Sequence, residues 1–137
     1  MRKVLFVCVE NTFRSVLSQE LFNSKAPSGW RAESAGVNPA QEVNPVVFWL
    51  LREVGINYVE RKPQVVTPEL VRDATRVVTF GCLDRCPIGA EEKGEDWPLP
   101  GSTGKSDDEL RSVRDELSRR IDELIRRLSV APETVQS

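Results

Sequence analysis

Residues 4 to 8, Val-Leu-Phe-Val-Cys, are apolar without a break and stand near the start of the chain. A half-exposed strand alternates apolar and polar side chains. An unbroken run instead reads as a strand covered on both faces, as in a parallel sheet. Residues 3 to 8 are therefore predicted as a buried strand, and such a strand requires helices on either side. The rest of the sequence offers them. Ser15 to about Ser24 reads as a helix with Val16, Leu17, Leu21 and Phe22 on one side. "WRAES", 30 to 34, reads as a second strand ending at Ala35-Gly36. Asn44-Pro45 is a cap and first helical residue for "VVFWLLREV", which Gly55 stops.

Thr67-Pro68 repeats that signal for a short helix ending near Asp73. "RVVTF", 76 to 80, is the next strand, and Gly81 ends it. Residues 81 to 105, rich in Gly and Pro, are predicted as a long loop with a strand possible at 94 to 97. Ser106 and Glu109 have the spacing of a capping box. Beyond them Leu110, Val113, Leu117, Ile121, Leu124, Ile125 and Leu128 recur at helical spacing, and residues 130 to 137 read as a frayed tail. Strands alternating with helices imply an α/β fold, a parallel sheet with helices on both faces. The 137 residues suit one domain.

Bulk properties exclude several functions. A net charge of −2 gives no electrostatic footprint for nucleic acid or for a membrane surface. No apolar run reaches the length of a membrane span, and "VLFVCV" is too short for a secretory signal. A cytoplasmic location is expected. The chain has no histidine, which removes Ser-His-Asp and Cys-His pairs. It has three cysteines, Cys8, Cys82 and Cys86, an odd count that argues against a disulfide framework.

Cys8 ends the first strand, and Arg14-Ser15 opens the next helix. The loop between them, Val9, Glu10, Asn11, Thr12 and Phe13, can turn its backbone N–H groups on an anion at a helix N-terminus. The same field favours the thiolate form of Cys8, a nucleophile. Arg14 can grip two oxygens of a tetrahedral oxyanion, Ser15 can donate to the thiolate, and Asn11 tolerates a left-handed turn. The competing reading is a buried core cysteine and a surface arginine. Cys82 follows a strand at the same sheet edge, where ligands of such sheets bind. Cys82 and Cys86 are within disulfide range if 82 to 86 is a helical turn. Read alone, the two thiols fit a redox pair, small apolar fillers, or a thiolate metal site with Cys8.

"FVCVENTFRS", "ESAGVNPA", "VVTF", "CP", "DW" and "GKSDDELRSVRDEL" occur in this order from residue 3 to about 128. In these blocks the chain resembles the low-molecular-weight protein tyrosine phosphatase superfamily, and more closely its thioredoxin-coupled arsenate reductase branch. The resemblance implies a phosphotyrosine phosphatase I-like fold with a four-stranded parallel sheet. It implies that Cys8 and Arg14 are catalytic, that residues 9 to 15 bind arsenate or a phosphate-like oxyanion, and that no cofactor is needed. It further implies that Cys82 attacks Cys8, that Cys86 completes the relay, and that thioredoxin or a similar dithiol reduces it.

Two features depart from the pattern. The family's general acid, an Asp-Pro before the last helix, is replaced near Pro100, Gly101 and Ser102; Asp96 is the alternative carboxylate and needs a register shift. Asn11, Glu20 and Ser34 align with potassium ligands of some reductases, but the fourth position is Gln64 rather than Asp. Proton donation to a leaving group typically contributes ~10²–10⁴-fold, and arsenate needs it less than an ester does. Arsenate reductase is the first reading. A phosphatase whose Cys8 is protected by Cys82, and a non-catalytic oxyanion or redox sensor, are the alternatives.

Overall fold

The structure, a computed structural model, describes residues 1–81 and 93–136. Among the described residues the strands are β1 (Arg2–Cys8), β2 (Trp30–Gly36), β3 (Arg76–Thr79) and β4 (Gly94–Asp96). The helices are α1 (Arg14–Asn23), α2 (Val46–Arg52), α3 (Pro68–Asp73) and α4 (Asp107–Gln136). The strands form one parallel sheet in the order β2-β1-β3-β4. The direction of strand addition reverses around β1, so the carboxyl end of β1 lies at the switch point where such sheets bind ligands. Cys8 is the last residue of β1, paired with Gly36.

The unbroken apolar run of β1 has a direct cause. Val4, Phe6 and Cys8 face the larger core, which α1, α2 and α4 supply with Leu17, Phe22, Leu50, Leu117, Ile121 and Leu124. Leu5 and Val7 face a smaller core with Ala35, Val71, Ala74 and Val77. Burying each such side chain contributes roughly 1.5–3 kcal/mol. Phe6 is the hub of an aromatic group, with ring centroids 6.3 Å from Phe22, 6.2 Å from Phe80 and 5.9 Å from Trp97.

The helix signals act as their chemistry requires. Asn44 Oδ1 accepts the Val46 N–H and the Asn44 carbonyl accepts that of Val47. Thr67 Oγ1 accepts from Leu70 N–H ahead of Pro68. Ser106 and Glu109 bond reciprocally, at 2.9 and 3.2 Å. Gly55, at φ 84°, lets its own N–H and that of Ile56 turn back to Arg52 and Leu51.

Four expectations need adjustment. β3 stops at Thr79, because the Phe80 carbonyl turns to Arg14 rather than to a strand. The strand possible at 94 to 97 is present as β4, one residue shorter, ending at Asp96. α2 starts one residue later than expected, with Pro45 at the N-cap position, and ends two residues earlier, since the Gly55 turn consumes Glu53 and Val54. The backbone of α4 continues to Gln136, past the last periodic apolar position. No helix among the described residues is long and apolar enough to cross a membrane.

Candidate active site

The loop from Cys8 to Arg14 is shaped by what holds its carbonyls. Val37, Asn38, Ala40 and Asn44 donate their N–H groups to the carbonyls of Cys8, Val9, Glu10 and Thr12, at 2.8 to 3.2 Å. In a trans peptide the carbonyl and the following N–H point in opposite directions. Four carbonyls fixed outward therefore turn the N–H groups of Val9, Glu10, Asn11 and Phe13 inward. One of them shows its aim: Asn11 N–H donates to Cys8 Sγ at 3.3 Å. α1 begins at Arg14 with no side-chain cap, so its first N–H groups join the same set.

Cys8 is 3% exposed and lies 2.9 Å from Ser15 Oγ. Asn11 Nδ2 donates to that oxygen at 2.8 Å, and with Cys8 as the thiolate the Ser15 hydrogen points at the sulfur. Asn11 holds φ 57°, the left-handed turn expected of it. Gly36 is required behind the loop: a Cβ there would stand 2.7 Å from the Val9 carbonyl oxygen and 2.9 Å from Asn11 N. Arg14 Nη1 donates to the carbonyls of Phe80, at 3.0 Å, and Leu99, at 2.7 Å. One nitrogen thus ties β3 and the 97–103 segment to the thiol loop, and the remaining guanidinium donors are available for an oxyanion.

Cys8, Val9, Glu10, Thr12, Phe13 and Arg14 line a cavity of about 160 Å³, closed on the far side by Gly101, Ser102 and Thr103. Pockets that enclose drug-sized ligands run to roughly 300–1,000 Å³, so this one suits a small ion or the tip of a substituent. The stretch where the resemblance expects an acid is at the rim and carries a glycine and two hydroxyls. Among the described lining residues Glu10 is the one carboxylate, and it is exposed. Asp96 is placed elsewhere. It does not line the cavity, and its Oδ1 accepts from Thr79 Oγ1 at 2.5 Å and from Gly81 N–H at 2.7 Å. Cys82 and Cys86 lie outside the described residues.

The potassium alignment meets a different donor set. Asn11 Oδ1 accepts the Gln64 N–H at 3.0 Å, and the Ser34 carbonyl accepts Gln64 Nε2 at 2.8 Å. Ser34 Oγ donates to Gln19 Oε1, and Glu20 accepts from Gln19 Nε2. Arg61 and Lys62 line the same cavity, of about 250 Å³. Asn11 Oδ1 and the Ser34 carbonyl are already met by amide donors, and among the described lining residues two cationic side chains face a single carboxylate, Glu33; this set does not fit a cation. Sequence reasoning missed Gly36, the bridge made by Asn44 to Thr12 and to Ser102 Oγ, and the part played by Gln64. The glycine closing β2 was the one available signal.

The model of the low molecular weight phosphotyrosine protein phosphatase family matches residues 3–134. An arsenate reductase of Staphylococcus aureus is 28% identical over 120 residues, 85% of this chain and 90% of that protein. The solved thioredoxin-dependent arsenate reductase of Corynebacterium glutamicum is 32% identical with a TM-score of 0.82; the match covers 96% of this chain and 63% of that longer one. An arginine phosphatase of Geobacillus stearothermophilus is 26% identical with a TM-score of 0.83, over 96% of this chain and 95% of that one. The fold, the Cys-x5-Arg-Ser loop and these matches agree: the chain belongs to the low molecular weight phosphotyrosine protein phosphatase family.

Proposed function

We propose that the protein is an arsenate reductase. Arsenate binds in the ring of loop N–H groups with its charge against Arg14, and Cys8 Sγ attacks arsenic as hydroxide leaves. Cys82 then attacks Cys8 Sγ. A disulfide forms, the sulfur–arsenic bond breaks, and its electron pair stays on arsenic, which departs as arsenite. Cys86 attacks Cys82, freeing Cys8, and a dithiol such as thioredoxin reduces the Cys82–Cys86 disulfide. The similarity to arsenate reductases, one of them thioredoxin-dependent, supports this sequence of steps.

The observation that carries the reading is the rim. Gly101, Ser102 and Thr103 stand over Cys8 with no carboxylate among them. Expelling an alkoxide or phenolate without a proton donor is slow, whereas arsenate gives up hydroxide. A second reading, hydrolysis through a phosphocysteine, is favoured by Glu10 at the cavity mouth, where it can meet a cationic or protonated leaving group. The test runs thioredoxin-coupled NADPH oxidation with arsenate beside hydrolysis of an aryl phosphate. Turnover of arsenate with slow ester hydrolysis supports the first reading; the reverse pattern removes it.

A further inference from the structure

Gln64 joins the back of the thiol loop to the end of β2 through three hydrogen bonds. Its N–H donates to Asn11 Oδ1 at 3.0 Å, its carbonyl accepts Gly36 N–H at 2.9 Å, and its side-chain Nε2 donates to the Ser34 carbonyl at 2.8 Å. The first contact decides a direction. A backbone N–H can only donate, so the oxygen of the Asn11 amide must face it. The amide nitrogen must then face Ser15, so Ser15 Oγ accepts there and keeps its own hydrogen for a Cys8 thiolate. Reversing the Asn11 amide would break the first link and leave Ser15 without a donor.

We infer that Gln64 is a positioning residue that sets the polarity of the Gln64–Asn11–Ser15–Cys8 relay, and that its amide does so in place of a monovalent cation. The side chain matters because it pins residue 64 to the end of β2, which keeps the N–H on Asn11. Asn11 is 2% exposed and Ser15 fully buried, so water has little room to substitute for the missing donor. Among the described lining residues of the neighbouring cavity Arg61 and Lys62 outnumber the one carboxylate, Glu33, and this disfavours a cation there.

The inference rests on Cys8 being the nucleophile, but its test does not depend on which oxyanion is turned over. Alkylation of Cys8 by iodoacetamide is followed by mass spectrometry of its peptide at one pH, in potassium chloride and in choline chloride of equal ionic strength. The native protein should react at the same rate in both salts, within about twofold. Gln64→Ala should react roughly threefold to tenfold more slowly in both, since one donor to a buried relay is loosened. Gln64→Glu keeps the length but sets a carboxylate against the Ser34 carbonyl; it should be slow in choline and recover in potassium. A merely structural loss would not be restored by a cation. Potassium accelerating the native protein severalfold overturns the inference, as does native-like reactivity of Gln64→Glu in choline. Should Gln64→Ala fail to fold, the native salt comparison still decides.

Discussion

At the scale of single residues, geometry separates binding from proton supply. Arg14 makes two backbone contacts through Nη1 and offers its remaining donors to the cavity. Lysine replaces that fork by a point charge and cannot hold Phe80, Leu99 and an oxyanion together. Arg14→Lys should therefore raise the inhibition constant for phosphate at least about tenfold, in line with hydrogen bonds to charged groups; isothermal titration with phosphate checks this. Gly36→Ala should cost most of the activity, because the new methyl meets backbone atoms that cannot swing aside. The same variant should bind phosphate poorly, and native binding would show that the loop can yield. Gly101 has the opposite character. A Cβ there meets nothing within 4 Å, and residue 101 lies on the cavity rim. Gly101→Asp should raise aryl phosphate hydrolysis at least about tenfold, toward the ~10²–10⁴-fold typical of a positioned acid. No gain in a steady-state assay would mean that Glu10 or water already supplies the proton.

At the scale of elements, legibility followed periodicity. β1 was readable because both of its faces are buried, and α4 because its apolar positions repeat at helical spacing. The caps at Asn44, Thr67 and Ser106 were readable because their partners are two or three residues away. Cys8, Arg14 and Ser15 were readable because strand, loop and helix follow one another directly. The clamp on the loop carbonyls was not, since segment 37–44 and Gln64 are polar, aperiodic and distant in sequence. The link between α2 and α4 belongs to the same class. Arg114, 7% exposed, donates to the Leu50 carbonyl and to Glu53, and Arg111 adds three bonds to the same carboxylate. Hydrogen bonds from Arg111 and then Arg114 lower the Glu53 pKa from 4.5 to about 2. A depressed carboxylate favours the folded state above its unfolded value, and that contribution fades as pH falls from about 4.5 toward 2. Glu53 is exposed, so solvent and salt screen the effect. Glu53→Gln should lower the urea midpoint modestly at neutral pH and flatten its fall between about pH 4.5 and 2, where the native protein loses the contribution anyway.

At the scale of the whole molecule, the sheet order brings the carboxyl ends of β1 and β3 to one edge. β3 is the immediate neighbour of β1, and adjacent strands lie about 4.8 Å apart. The chain leaves β3 through Phe80, held by Arg14, and Gly81, held by Asp96 at φ 82°. Cys82 follows Gly81 directly in the sequence. In the proposed relay Cys82 acts only after Cys8 has attacked arsenate. This makes the relay separable from the first chemical step. Cys82→Ser should stall after arsenate attack and abolish multiple turnover with thioredoxin. Cys86→Ser should complete one turnover and then accumulate a Cys8–Cys82 disulfide, visible by mass spectrometry as a protein in which neither remaining cysteine is alkylated. Hydrolysis of an aryl phosphate under reducing conditions should survive both changes at whatever rate the native protein shows, because it uses only Cys8, Arg14 and the loop. Arsenate turnover at the native rate in both serine variants would sink the relay and leave phosphoryl chemistry as the better account of the site.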